Sequence, residues 1–324
     1  MASQQAIITG GAGFIGSYLA EALLAQGHSV LVIDDLSTGS IDNINGLMGH
    51  ANFRFVQETI RNEMVMDRLM SGCDVIYHMA AAVGVEFIVN DPVHTIETNL
   101  MGTEVVLRLA RRYHRKVLIA STSEIYGKSE AIPFREDSDR VMGSTLKSRW
   151  CYAESKAMDE FLTLAYHQQY GLQIVICRLF NTVGSRQTGK YGMVIPRLAK
   201  QAVLNEPLTV HGDGRQTRCF CNVKDTVRAI LGLSAEPRAV GEVFNIGSNE
   251  EITILDLAKR IIARSGSRSE INIVPYERAY KPGFEDMRRR VPDTTKIKAM
   301  IGWQSTVRLD DTLDEVIAQF KGKK

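Results

Sequence analysis

Short apolar runs alternate with amphipathic stretches through the first half of the chain. Ala6–Thr9, Val30–Ile33, Phe53–Val56, Val75–Met79, Val117–Ala120 and Gln173–Leu179 read as strands. Gly16–Gln26, Thr95–Tyr113 and the stretch from Tyr152 to about Tyr170 carry the helical period. Strands that alternate with helices imply parallel βαβ units and a doubly wound sheet. Beyond about residue 180 the texture changes. Gly, Pro and Arg become denser, and the helical stretches are shorter: Val194–Asn205, Lys224–Leu233, Ile254–Ser265 and Leu309–Phe320. The expected fold class is α/β, with a parallel-sheet domain over 1–180. A smaller C-terminal α/β lobe over 181–324 is expected to bind substrate and to send some chain back to the first domain.

Composition narrows the partners. The 39 basic and 37 acidic residues nearly cancel, and no basic stripe marks a nucleic-acid binder. No apolar run approaches the ~20 residues that span a bilayer, and no charged-then-apolar leader precedes the first strand. A cytoplasmic protein that binds neither nucleic acid nor membrane is expected. Cys73, Cys151, Cys177, Cys219 and Cys221 are an odd, scattered set. No second pair or His cluster completes a zinc site around Cys219-x-Cys221, so free thiols and no metal are expected.

Candidate chemistry begins at Thr9-Gly10-Gly11-Ala12-Gly13-Phe14-Ile15-Gly16, which follows a strand and opens a helix. Gly10 permits the tight turn, Gly13 lets backbone approach a pyrophosphate, and Gly16 lets helix pack on sheet; Phe14 and Ile15 begin the helix whose amides meet the phosphates. Asp34 ends the second strand, where a carboxylate accepts from the ribose hydroxyls and repels a 2′-phosphate, so NAD is expected over NADP. Asp35 reads as a turn residue beside it. Tyr152-Ala153-Glu154-Ser155-Lys156 places Tyr and Lys on one helical face. A neighbouring ammonium and the positive nicotinamide are expected to favour the phenolate and bring it nearer the working range of a base. The strand ending at Ala120 runs into Ser121-Thr122-Ser123-Glu124, hydroxyls and a carboxylate at the end of a sheet strand where open α/β sheets bind ligands.

Taken together, these motifs resemble the extended short-chain dehydrogenase/reductase family, a Rossmann-type fold, in its nucleotide-sugar branch of epimerases, dehydratases and decarboxylases. Further carriers of the resemblance are Tyr77-His78-Met79-Ala80-Ala81, Asn99 before Gly102-Thr103, Arg178-Leu179-Phe180-Asn181, Pro207–Gly214 with Gln216-Thr217-Arg218, and Phe244-Asn245-Ile246-Gly247. The resemblance implies that Thr122 and Tyr152 hold the reacting hydroxyl and that Lys156 also binds the nicotinamide ribose. Ala80, Ala81 and Asn99 are implied at the cofactor. Asn181 and Arg218 are implied at the UDP phosphates, and Val194, Leu208, Thr209 and Val210 near the nucleotide. A homodimer through a four-helix bundle is implied as well, with Val105, Val106, Leu109, Phe161, Leu162 and Leu164 as its apolar residues. Two positions depart from the family pattern: Thr59 stands where an Asp usually contacts adenine, and Ser185 replaces a Pro.

Members of this branch oxidise the sugar at C4, and the ketone then determines the reaction. Ser123-Glu124 resembles the pair in UDP-glucuronate decarboxylases and also that in GDP-mannose dehydratases, a group that normally takes NADP and so disagrees with Asp34. Arg290-Val291-Pro292-Asp293 is similar to the decarboxylases' Arg-x-Pro-Asp segment. The expected reaction is decarboxylation of UDP-glucuronate to UDP-xylose, with Ser123 and Glu124 orienting the carboxylate and aiding reprotonation at C5. The alternatives are a UDP-sugar 4-epimerase, a 4,6-dehydratase and a non-catalytic NAD(H) sensor. Glu86 is expected to border the sugar, where an inward carboxylate would repel a uronate.

Overall fold

The computed structural model describes residues 3–189, 193–279 and 285–322, with the backbone alone for 85–87. Its centre is a seven-stranded parallel sheet. Six strands come from residues 1–180: β1 (Gln5–Thr9), β2 (Ser29–Asp34), β3 (Phe53–Gln57), β4 (Val75–His78), β5 (Lys116–Thr122) and β6 (Ile174–Leu179). The strand Glu242–Ile246 adds to β6, giving the order Glu242–Ile246, β6, β5, β4, β1, β2, β3. The order reverses around β1, which places a crevice beyond the carboxyl ends of β1 and β4.

The strands bury both faces, so alternate residues enter different cores. Ile8, Val32, Tyr77, Leu118 and Val175 join Leu19 and Leu23 of the first helix (Phe14–Ala25), together with Val227, Ile230, Phe244 and Trp303 from the second half. Ile7, Ile33, Ile76, Ile119 and Ile176 join Met66, Val106 and Leu109 on the opposite face. Chain beyond residue 181 therefore supplies the helices Val223–Ala235 and Thr295–Ile301 and the seventh strand to the sheet layer. A third core forms apart from the sheet, where Leu198, Leu208, Val210, Leu257, Ile261, Leu313 and Ile317 join the helices Val194–Leu204, Ile254–Ser265 and Leu309–Lys321.

The helical stretch expected over Thr95–Tyr113 is divided. A short helix, Pro92–Ile96, passes through a π-turn, Glu97–Met101, into Gly102–Arg112. The π-turn carries Asn99, fully buried. Its Oδ1 accepts from the Ala82 amide at 2.8 Å, and its Nδ2 donates to Ser155 Oγ at 3.0 Å. A widened turn of this kind re-aims one side chain without ending the helix. Here it fastens the loop after β4 to the helix Cys151–Tyr170.

Candidate active site

A cavity of about 340 Å³ fills the crevice. Its walls are Gly10 and Gly13–Gly16 after β1, Asp34 and Asp35 after β2, and Glu58, Thr59 and Ile60 after β3. Ala80–Ala82 follow β4, Thr122–Glu124 follow β5, and Tyr152 and Arg290 close the far end. The glycines are required by contact. A Cβ on Gly16 would stand 2.4 Å from the Gly10 carbonyl oxygen, and one on Gly10, at φ +68, would stand 2.7 Å from Ala80 Cα. Asp34 Oδ2 accepts from the Ala12 amide at 2.9 Å and Oδ1 from Leu36 at 2.8 Å. Burial pushes this carboxyl upward, and the two amides oppose the rise. Each oxygen keeps a second lone pair for a ribose hydroxyl. Asp35 Oδ1 accepts from the Ser37 amide in the turn expected of it.

Tyr152 opens the helix Cys151–Tyr170. Burial raises its phenol well above the ordinary tyrosine value, the anionic Glu124 adds to the rise, and a hydrogen bond with Thr122 opposes it. The lowering expected from Lys156 is not what the geometry gives. Lys156 Nζ is buried 2.9 Å from Asp159 Oδ2, and an ammonium already paired with a carboxylate acts only weakly on a third group. Lys156 and Asn99 stand behind the cavity wall.

A second cavity of about 170 Å³ adjoins the first, sharing Glu124, Asn181 and Arg290. Among the described residues Arg149, Arg197, Arg218 and Arg290 line it against two carboxylates, Glu124 and Asp286, so four positive charges there face two negative ones. Arg149 Nη1 donates to Glu124 Oε2 at 2.5 Å, Arg290 Nη2 lies 3.6 Å from Glu124 Oε1, and Arg218 Nη2 lies 2.7 Å from Asp286 Oδ1. Burial works against the Glu124 anion, yet Arg149 and Arg290 hold its carboxyl down at about 2. Glu124 is thus held as a carboxylate between Arg149 and Arg290. Burial brings Arg290 down to about 10. Arg290 Nη1 also stands 3.5 Å from Ser123 Oγ and 3.3 Å from Asn181 Oδ1. Asn181, at φ +35, donates through Nδ2 to the Cys219 carbonyl. Arg149 Nε, Arg290 Nε and Gln216 Oε1 are buried without hydrogen-bond partners, as polar atoms in a ligand's wall would be.

Several expected substrate residues sit differently. Val194 lines the second cavity, but Leu208 and Val210 are fully buried in the third core. The two-residue period turns Thr209 the other way, where Arg197 and Gln201 hold it, and no Thr209 atom lines either cavity. His211, one step further on the same face as Thr209, does line the second cavity. The side chain of Glu86 lies outside the described residues. Arg149 was not singled out from the sequence. Its signal was its place three residues before Tyr152, in a loop that carries no periodicity.

Of the helix residues expected to build a dimer face, Val105, Val106 and Leu109 are buried against the sheet, and Leu162 and Leu164 pack on the same core. Phe161 alone of that set is exposed, at 61%. All five cysteines are free, and the described residues hold no cluster of three metal-binding side chains. No helix among the described residues is long and apolar enough to cross a membrane.

Comparison with known proteins covers both cavities. Residues 7–316 match the family model described as GDP-mannose 4,6 dehydratase. The chain is 41% identical to UDP-N-acetyl-alpha-D-glucosaminuronate decarboxylase of Bacillus cytotoxicus, over 98% of both chains. It is 37% identical to UDP-glucuronic acid decarboxylase 1 of Danio rerio, over 97% of this chain and 72% of that one. The crystal structure of UDP-glucuronic acid 4-epimerase from Bacillus cereus, in complex with UDP-glucuronic acid and NAD, superposes with a TM-score of 0.89 at 30% identity, covering 99% of this chain and 100% of that one. The glycine loop, the Thr122, Tyr152 and Lys156 set and the arginine cluster all lie within the matched residues, and the chain belongs to the extended short-chain dehydrogenase/reductase family, in the group described as GDP-mannose 4,6 dehydratase.

Proposed function

We propose that the protein is an NAD-dependent decarboxylase of a UDP-hexuronic acid. The observation that carries this reading is the second cavity, where four guanidinium groups face two carboxylates among the described residues, adjoining the cavity that Thr122 and Tyr152 line. Its excess of two positive charges suits the two negative charges of a nucleoside diphosphate diester, and guanidinium planes suit phosphate and carboxylate oxygens alike. The first cavity fits NAD, with Gly10, Gly13 and Gly16 at the pyrophosphate, Asp34 at a ribose and Tyr152 at the nicotinamide end. The decarboxylase relatives from Bacillus cytotoxicus and Danio rerio support the choice of reaction.

NAD, when bound, accepts the hydrogen from the sugar C4 and later returns it. Tyr152, as the phenolate that a bound, positively charged nicotinamide would favour, takes the proton of the C4 hydroxyl, which Thr122 helps to hold. With C4 a ketone, the C5 carboxylate is a β-keto acid. The bond between C5 and the carboxyl carbon breaks, CO2 leaves, and the electron pair passes into an enolate whose oxygen Tyr152 supports with its hydrogen bond. A proton then adds at C5 to give a UDP-4-keto-pentose, and once C4 is reduced again, with Tyr152 returning its proton to the C4 oxygen, a UDP-pentose is left. Arg290 and Ser123 stand where they can orient the carboxylate, and Glu124 keeps Arg149 and Arg290 in place.

A second reading, a UDP-sugar 4-epimerase, draws on the likeness to the Bacillus cereus enzyme. Incubation with NAD and either UDP-glucuronate or UDP-N-acetylglucosaminuronate, followed by mass spectrometry, separates the two. Loss of CO2 from one of them is the expected result. An unchanged mass with C4 inverted by NMR would establish the epimerase, and unaltered substrates would defeat both readings.

In the same reading the enzyme is a cytoplasmic homodimer. The free thiols suit a reducing compartment. Val93, Ile96 and Met101 on one helical run, with Met158, Phe161 and Tyr170 on the helix Cys151–Tyr170, are exposed apolar residues that a second copy would cover through a four-helix contact. Light scattering is expected to give twice the chain mass of 36.1 kDa, and a single-chain mass would remove this part of the reading.

A further inference from the structure

A buried polar chain runs beneath the active site and has no part in the chemistry above. Thr9 Oγ1 and His78 Nδ1 are 2.7 Å apart, and His78 Nε2 and Thr103 Oγ1 are 3.0 Å apart. Thr103 adjoins the Asp159 carboxylate, which accepts from Lys156 Nζ at 2.9 Å. Thr9, His78, Thr103, Lys156 and Asp159 are each no more than 2% exposed. The chain joins the strand under the glycine loop to the lysine of the Tyr-x-x-x-Lys pair.

Asp159 lies three residues after Lys156, on the same side of one helix. An ammonium or a carboxylate buried alone is costly, whereas a hydrogen-bonded pair is tolerated. A paired ammonium acts on a neighbour as one end of a dipole, not as a bare charge. We propose that Asp159 is a positioning residue for the Tyr152 and Lys156 pair: its carboxylate is the buried counter-ion that fixes the lysine ammonium and limits how strongly that ammonium acts on the phenol.

The surroundings leave Asp159 as the group best placed to do this. From β4, His78 faces Lys156 and is neutral, held near 3 by burial and by that lysine. From its own helix, Glu160 is committed to Arg178 through two oxygens. On the other side of the phenol, Glu124 is engaged by Arg149. Asp159 itself raises the phenol, so its removal lowers it.

The inference rests on Tyr152 being the acid–base group of the proposed reaction, but its test requires no substrate. The Tyr152 phenol of the NAD-loaded enzyme is titrated by near-ultraviolet absorbance, as the difference between wild type and Tyr152→Phe. The same difference is then measured in the Asp159→Asn background. The midpoint is expected to fall by about one pH unit or more, the low end of what one adjacent charge does. Asp159→Glu is expected to restore the wild-type midpoint, which a purely structural role would not require. Equal midpoints in wild type and Asp159→Asn would overturn the proposal. Should Asp159→Asn fail to fold, Asp159→Ser, with room for a water against the ammonium, carries the same comparison. Failure of wild type to decarboxylate a UDP-hexuronate would defeat the functional reading without altering this titration.

Discussion

Tyr152→Phe is expected to lower kcat on a UDP-hexuronate by about 10³-fold, within the range contributed by a positioned acid–base group. KM is expected to change by less than about threefold, because diphosphate binding rests on the arginine-lined cavity and not on the phenol oxygen. The size of the loss follows from the neighbours. Thr122 can share a hydrogen bond but has no useful basicity. Glu124 is held at about 2 by Arg149 and Arg290 against the cost of its burial, so it cannot replace the lost base near neutral pH. Lys156 is tied to Asp159. Phe keeps the half-buried ring in the cavity wall, so unfolding by denaturant is expected to be nearly that of wild type. Steady-state kinetics of the purified variant provides the check, and a loss of less than about tenfold would move the acid–base role to another group.

The first half of the fold was legible because its code is short-range. Alternating apolar runs gave six of the seven parallel strands, and the glycine spacing gave the crevice. The seventh strand, Glu242–Ile246, has five residues and includes Asn245, whose side chain reads as polar. In the structure that side chain is fully buried, bonded to the Phe134 carbonyl and the Tyr126 hydroxyl, so its polarity serves the interior. The helix Glu63–Met70 buries only Met66 and Met70, too few to set a period. At the site, residues on β1, β2, β5 and the helix Cys151–Tyr170 could be placed because they follow regular elements. Arg149 and the pairing of Lys156 with Asp159 could not. The first depends on a loop fold, and the second on which side of Lys156 faces the protein. Likewise Leu208, Thr209 and Val210 were placed near the ligand by motif, although strand alternation sends Leu208 and Val210 into a core.

Arg149→Met is expected to be the most destabilising change at the site. It removes the closest partner of Glu124, whose side chain is 13% exposed while that of Arg149 is 2% exposed. Breaking a buried pair from one side leaves an uncompensated charge and costs about 3–5 kcal/mol. Arg290, 3.6 Å from the other oxygen, offsets part of that cost. Adding Glu124→Gln to Arg149→Met removes the stranded charge and is expected to recover much of the loss. The pH dependence has a definite sign. The folded-state carboxyl sits at about 2 and its unfolded counterpart near 4.5, so the pair's contribution is fully present above about 4.5 and disappears as pH falls through about 2. Urea unfolding of wild type, Arg149→Met and the double variant at neutral pH, and of wild type down through that window, makes the comparison. If Arg149→Met costs less than about 1 kcal/mol, the value of an exposed pair, then water reaches Glu124 freely.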